Sequence, residues 1–330
     1  MRKMRVGLYG CNGHQVHDLL VNHPLAELTA AAAFPHDRIP SGLKPREYST
    51  LDRLLSDKDV QLVSLCSPRR ADQARDAIRC LEAGKHVYAE KPSALNETDL
   101  DAILTTSRRT GLQYREMAGV LVTQPYKEMR RVIRSGAIGA VVQVLSQKCY
   151  PWADWRPGDE DVDGGLSLQV GVYSTRFIEH IACVRIASIE LVETRLGNPV
   201  AGSECRMAVS MLMRLENGGV ASAVCNYLNP IRHLCHGYEI LRVFGTLGII
   251  ESNAENSHAR LLLTGQPPHE LTLSEPSGEY FTLYLESLLG GPAMPLSIEE
   301  ELSPTRWVIR AKTTRDNNNR KTFNESNRSL

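Results

Sequence analysis

Three places in this chain combine residue types and spacing that could do chemistry. They are a glycine turn at Gly10-Cys11-Asn12-Gly13, a Glu90-Lys91-Pro92 triplet and a Gln169-x-x-x-Tyr173 pair. Taken alone, the lysine suits a solvated loop and the tyrosine a core aromatic. A lysine ammonium can hydrogen-bond a reacting oxygen and stabilise charge there, and burial moves its pKa toward neutrality. A phenol beside a cation is favoured as phenolate, so a tyrosine so placed can give or take a proton. A glutamine amide can orient a hydroxyl but can neither take a proton nor carry charge.

The glycine turn follows an apolar strand, Arg5–Tyr9, and precedes a stretch, His14–Val21, that reads as helix. Strand, glycine turn and helix in this order form an anion site, because the helix start offers unpaired N–H groups and a favourable dipole. In the dinucleotide fingerprint G-x-G-x-x-G the glycines make this geometry. Here only the first, Gly10, is in register, with Asn12 and Gln15 at the other two positions. Asn tolerates a left-handed backbone and Gly13 lets the chain pass close to a ligand. The loop alone is equally compatible with an ordinary glycine turn. The fingerprint's acidic residue, about twenty positions on, holds the adenosine ribose. Phe34 stands in that region, followed by Asp37 and Arg38. Arg38 suits the 2′-phosphate of NADP, while Asp37 keeps NAD open.

These residues need a scaffold, and the chain has the means to build one. It has 330 residues, 42% apolar and 23% charged, enough for one large or two medium domains with substantial cores. Lys+Arg and Asp+Glu number 38 each, which removes the basic footprint of a general nucleic-acid binder. No apolar run approaches the ~18 residues of a membrane span, and the start lacks a signal peptide's pattern, so a soluble, cytoplasmic protein is expected. The eight cysteines are scattered without a Cys-x-x-Cys pair and read as small buried residues. Over residues 1–122, strands at Leu28–Phe34, Val60–Cys66, Val87–Ala89 and Tyr114–Met117 alternate with helices over Ala71–Ala83 and from Asn96 to Thr110. That alternation predicts a parallel sheet covered by helices. Over residues 123–330 a helix at Tyr126–Arg134 leads into mostly strands: Val141–Lys148, Ile189–Thr194, Cys205–Leu215, Val220–Leu228 and Tyr238–Phe244. Helices at Leu168–Cys183, Tyr280–Leu289 and Ile298–Thr314 join them, and Glu216-Asn-Gly-Gly219 is a hairpin signal. This half is read as α+β with an antiparallel sheet, ending in a polar tail over 316–330 expected to fray.

With Gly84-Lys-His-Val-Tyr-Ala-Glu-Lys-Pro92 the chain resembles the Gfo/Idh/MocA oxidoreductases, the family of glucose–fructose oxidoreductase, inositol 2-dehydrogenase and dihydrodiol dehydrogenase. Cys66-Ser67-Pro68, Ser135-Gly-Ala-Ile-Gly139 and Val243-Phe-Gly-Thr-Leu-Gly-Ile-Ile250 extend the match over roughly residues 5–314. The resemblance implies an N-terminal Rossmann domain that binds NAD or NADP and a C-terminal α/β domain with a large, mostly antiparallel sheet. It implies that nicotinamide and a sugar, inositol or related polyol meet between them, with Lys91 beside both. It is this resemblance that singles out Lys91 and Tyr173. It makes Tyr173 the tyrosine of an Asp-x-Gly-x-Tyr segment that here begins with Gln169, so Lys91, Tyr173 and Gln169 are the expected catalytic set. The expected cofactor contacts are Gly10, Asn12, Gly13, His14, Gln15, Phe34, Arg38, Ser67, Pro68, Glu90 and Lys91. Arg69 and Asp72 stand where the family often has Asn and His, a second departure.

Trp152, Asp154, Trp155 and Arg156 follow the first strand of the second half and suit substrate binding by stacking and hydrogen bonding as well as they suit a surface loop. His233-Leu-Cys-His236 lacks a third well-placed ligand and reads as non-metallic, and His180 as a packed residue. The expected activity is hydride transfer between nicotinamide and a secondary alcohol or ketone. Two other outcomes of the same fold are a glycosidase, lyase or epimerase with an internally recycled NAD, and a non-catalytic nucleotide or sugar sensor. A homodimer or homotetramer is expected by analogy.

Overall fold

The computed structural model describes residues 3–153, 156–230, 237–253, 258–273 and 275–328, with side chains to Arg315 in the last helix. The chain divides into two compact units. The first comprises Met1–Ala118 with Asp161–Gly164 and Glu279–Ser303, and the second Gly119–Glu160, Gly165–Gly278 and Pro304–Leu330.

The first unit is built on β1 (Met4–Tyr9), β2 (Ala26–Ala32), β3 (Arg46–Tyr48), β4 (Leu62–Leu65), β5 (His86–Ala89) and β6 (Tyr114–Glu116). They lie in the order β3-β2-β1-β4-β5-β6, every neighbouring pair parallel. All four residues of β4 are buried, Ser64 among three apolar side chains, as suits a strand covered on both faces. The helices are α1 (Leu51–Leu55), α2 (Gln73–Glu82) and α3 (Glu97–Thr110). The Asn96 side chain caps α3 by accepting the Asp99 N–H at 2.9 Å, and Gly111 ends it with φ of 69°. The strand order reverses between β1 and β4, and open α/β sheets bind ligands beyond the carboxyl ends of the strands at such a switch.

One expectation fails here. The helix anticipated over His14–Val21 is a single 3₁₀ turn, Asp18–Leu20. Gln15 is pinned to β1 and β4 by its side chain, and Asn22, with φ of 54°, turns the chain before Pro24. Too few residues remain for an α-helix, so no helix dipole of useful length faces the glycine turn.

The second unit opens with α4 (Tyr126–Arg134) and carries an eight-stranded sheet: β7 (Val141–Cys149), β8 (Ile186–Thr194), β9 (Ala208–Leu215), β10 (Val220–Asn226), β11 (Tyr238–Gly245), β12 (Gly248–Asn253), β13 (Ala259–Leu263) and β14 (His269–Glu270). The order is β14-β13-β12-β11-β7-β10-β9-β8, with β7–β10 the parallel pair among antiparallel neighbours. One sheet face packs on the helical run 167–181, with Leu166, Val170, Phe177 and Ile181 against Val144, Met211 and Val243 in one core. On the other face Val192, Leu212 and Val224 are exposed. Residues 216–219 make the expected hairpin between β9 and β10. The last helix, Ile298–Arg328, runs through the tail expected to fray. No glycine or proline follows Pro304, so nothing in the backbone stops the helix, however polar the residues.

Replacing Asn96 with Ala removes the acceptor for the Asp99 N–H, and should cost about 1 kcal/mol of unfolding free energy by denaturant titration, with Asn96→Ser recovering most of it.

Candidate active site

In the first unit the glycine turn is held from below by one buried carboxylate. Glu90, 1% exposed at the end of β5, accepts the backbone N–H of His14, the N–H of Lys91 at 3.0 Å, and a contact from His14 Nδ1 at 3.0 Å. Burial alone would raise this carboxyl. The His14 hydrogen bonds and the charges of Lys91 and Arg70 outweigh it and hold Glu90 well below the usual carboxylate range. The carboxylate is therefore a fixed negative charge next to the Lys91 ammonium. Gly13 has φ of 116°, and a Cβ there would lie 2.6 Å from Glu90 Oε2, so only glycine lets the turn sit on the carboxylate. Gly10, at φ of 67°, passes so close to the Cys66 carbonyl that a Cβ would stand 2.0 Å from its oxygen.

The other fingerprint positions have structural tasks. Gln15 donates to the carbonyls of Gly10 at 2.9 Å and Ser64 at 3.2 Å, tying the turn to β1 and β4. Asn12 donates to the carbonyls of Pro68 at 3.2 Å and Val162 at 2.5 Å. Arg70, wholly buried, donates to the Asn12 carbonyl at 2.6 Å and to Gln73, which in turn bonds the carbonyls of Glu90 and Pro92. Ser67 is buried, its hydroxyl donated to Asp76 at 2.9 Å. Phe34, after β2, packs on His17 with ring centroids 5.2 Å apart, and the Arg38 guanidinium lies 5.8 Å from its centroid. Of the two departures from the family pattern, Arg69 pairs with Asp161 at 3.3 Å, and Asp72 pairs with Arg75 at 3.2 Å. A close-approach turn at the β1–β4 switch, with an aromatic and a cation beyond β2, fits a dinucleotide despite the missing helix. Lys91, 6% exposed, follows Glu90 and donates its backbone N–H to that carboxylate.

In the second unit, every residue from 164 to 182 is buried except Gln169 and Tyr173, which are partly exposed. Four residues apart, they share one face of the helical run. The Lys148 ammonium, on β7, lies 4.6 Å from the Tyr173 ring centroid and 5.0 Å from that of Tyr150. Lys148 is paired with Glu239, its direct cross-strand partner on β11, and Glu239 also accepts the Tyr126 hydroxyl. Trp152 packs edge-on against Tyr227 at 6.1 Å, and the Arg156 guanidinium lies 3.9 Å over the Tyr227 ring. Asp154 and Trp155 lie outside the described residues, as do His233, Cys235 and His236. His180 is buried, 1% exposed.

Lys148, Tyr150, Glu239 and the Arg70–Gln73 link were not anticipated. For Lys148 a signal existed. It shares strand parity with the buried Val144 and Ser146, so a charge was being directed into the covered face of the sheet.

A Rossmann-type sheet with such a turn, followed by a large antiparallel sheet, defines a class of two-domain dinucleotide-dependent oxidoreductases. The family models agree: "Oxidoreductase family, NAD-binding Rossmann fold" matches residues 4–117 and "GFO/IDH/MocA C-terminal domain" matches 126–251. The chain belongs to the GFO/IDH/MocA oxidoreductase family. It is 30% identical over 184 residues to dTDP-3,4-didehydro-2,6-dideoxy-alpha-D-glucose 3-reductase of Streptomyces violaceoruber, covering 53% of this chain and 54% of that protein. It is 25% identical over 136 residues to trans-1,2-dihydrobenzene-1,2-diol dehydrogenase of Xenopus laevis, covering 41% of each. The chain thus spans about half or less of the length of these curated relatives. Among solved structures, the 3-ketoreductase KijD10 of Actinomadura kijaniata, in complex with NADP and TDP-benzene, superposes with a TM-score of 0.78 at 21% identity over 94% of this chain and 98% of that one. The aldose-aldose oxidoreductase of Caulobacter crescentus gives 0.79 at 20% identity over 94% and 97%. At these identities the structural likeness speaks for the fold.

Gly13→Ala forces a methyl into Glu90 and strains the turn. It should weaken NADH and NADPH binding by at least ~10-fold, about 1.4 kcal/mol, in a fluorescence titration that also ranks the two cofactors.

Proposed function

We propose that this protein is an NAD(P)-dependent oxidoreductase that transfers hydride between nicotinamide and a secondary alcohol or ketone of a sugar, inositol or related polyol. The reading is carried by the pairing of Tyr173 with Gln169 as the partly exposed positions of an otherwise buried helical run, the phenol beside a buried ammonium. The sugar reductase and dihydrodiol dehydrogenase among its relatives support the substrate class.

The dinucleotide supplies the hydride acceptor or donor. Gly10, Asn12, Gly13, His14 and Gln15 form the turn that admits its phosphates. Phe34 and Arg38 take the adenosine end, and Ser67, Pro68 and Glu90 shape the floor. Lys91 donates a hydrogen bond to the reacting oxygen and stabilises its developing negative charge. Tyr173 removes the hydroxyl proton during oxidation and returns it during reduction. Gln169 orients a neighbouring hydroxyl through its amide, and Trp152 and Arg156, with Asp154 and Trp155, bind the rest of the substrate.

A second reading retains the cofactor but recycles it. Gln169 cannot carry a proton, so the polar set is reduced to Lys91 and Tyr173, which suits oxidation, elimination or epimerisation, and re-reduction on one bound nicotinamide. Product formed without net change in NAD(P)H would select this reading, and stoichiometric cofactor reduction would exclude it. The exposed Val192, Leu212 and Val224 on the outer sheet face support a homodimer or homotetramer.

Lys91→Met should lower turnover on the active member of a polyol and sugar panel by about 10²–10⁴ with unchanged circular dichroism. Wild-type turnover in that variant would exclude the mechanism.

A further inference from the structure

The second unit contains a charged residue that neither the proton step nor cofactor binding accounts for. Lys148 is 5% exposed and points into the covered face of the sheet. A lysine buried there loses hydration that an alanine or leucine would never have needed, so its retention calls for a partner and a purpose. The partner is Glu239, opposite it across the β7–β11 ladder and itself hydrogen-bonded by Tyr126. Gly237 lets the backbone pass close by, since a Cβ there would lie 3.0 Å from Tyr150 Cε1 and 3.3 Å from Lys148 Nζ.

We propose that Lys148 is the positioning residue for Tyr173: its ammonium, anchored by Glu239, fixes the phenol ring and stabilises the phenolate that the proton step requires. The inference rests on Tyr173 being the proton-transfer group. A nearby opposite charge favours the ionised form of a titratable group, and the ammonium lies against the ring, 4.6 Å from its centroid. Two further described groups near this phenol act in the same direction. The Arg176 guanidinium, on the same helical run, lies 5.9 Å from the Tyr173 centroid. Tyr150, on the strand side, is hydrogen-bonded to Tyr173. Burial first, then the neighbouring phenol and that hydrogen bond, push Tyr150 upward against the Arg156 charge. Held neutral, Tyr150 can donate that hydrogen bond to the Tyr173 oxygen, which also favours the phenolate. Glu239, a negative group among the described residues of the cluster, acts the other way but is engaged by Lys148 and Tyr126.

The test is an ultraviolet difference titration of tyrosinate in the full-length protein, with the Tyr173→Phe protein subtracted to isolate one phenol. In the wild type the isolated transition should fall below the ordinary phenol value of about 10. Lys148→Met combined with Glu239→Gln removes both charges without leaving a buried carboxylate unpaired, and should raise that midpoint by about one pH unit or more. Lys148→Arg should hold the midpoint near wild type. A wild-type midpoint at or above 10, or one unmoved in the double variant, overturns the assignment. The outcomes also separate the two levels of argument. If Tyr173→Phe retains full turnover, the proton role of Tyr173 fails. If Tyr173→Phe is inactive while the double variant titrates like wild type, the role of Lys148 fails alone.

Discussion

The first unit depends on a carboxylate that should not be comfortable where it is. Glu90 is almost fully buried, a position that favours a neutral acid, yet His14, Lys91 and Arg70 keep it ionised. Because it stays charged, it can accept the His14 N–H and so draw the glycine turn down onto the end of β5. The same charge stands beside the ammonium of the next residue. One buried anion therefore couples the shape of the cofactor turn to the electrostatics of Lys91. The glycine at position 13 follows from this packing, because its missing Cβ is the space the carboxylate occupies.

The glycine turn is built differently from the dinucleotide fingerprint it resembles. In the standard fingerprint a helix start supplies N–H groups and a dipole to the phosphate. Here the chain after the turn forms one 3₁₀ turn, too short to provide either. Rigidity comes instead from side chains. Gln15 bonds back to β1 and β4, Asn12 bridges to the carbonyls of Pro68 and Val162, and Arg70 with Gln73 links the Asn12 carbonyl to those of Glu90 and Pro92. The residues that break the fingerprint are those that make these bonds. Asn12 and Gln15 each bring an amide that a glycine lacks.

The second unit solves a similar problem with the opposite sign. A buried cation, Lys148, is tolerated because Glu239 faces it across the ladder and the rings of Tyr150 and Tyr173 surround it. Cation and aromatic faces attract electrostatically, most strongly where water is excluded. In both units a charge is buried beside a residue read as catalytic, and in both a countercharge makes that burial possible: His14, Lys91 and Arg70 outside the strands in the first, the cross-strand Glu239 in the second.

How much of this was legible in the residues differs by level. Apolar runs, the Asn96 cap, Gly111 and the Glu216–Gly219 hairpin act through local backbone and burial rules, so they mark their elements without knowledge of the rest of the chain. The Gly84–Pro92 motif and the Gln169–Tyr173 pair were legible through the family resemblance, and helical pitch then sets Gln169 and Tyr173 on one face. Other features depended on partners distant in sequence. Glu90 meets His14 across 76 positions and Lys148 is apposed to Glu239 across 91, and no periodicity encodes such a meeting. The His14–Val21 segment has helical spacing but is overruled by Gln15 reaching β4, 49 residues on. Local sequence thus determined where helices, strands and turns form and which residue types could react. Only the tertiary structure decided which charges are buried together, because burial and opposition are properties of pairs that the fold alone brings into contact.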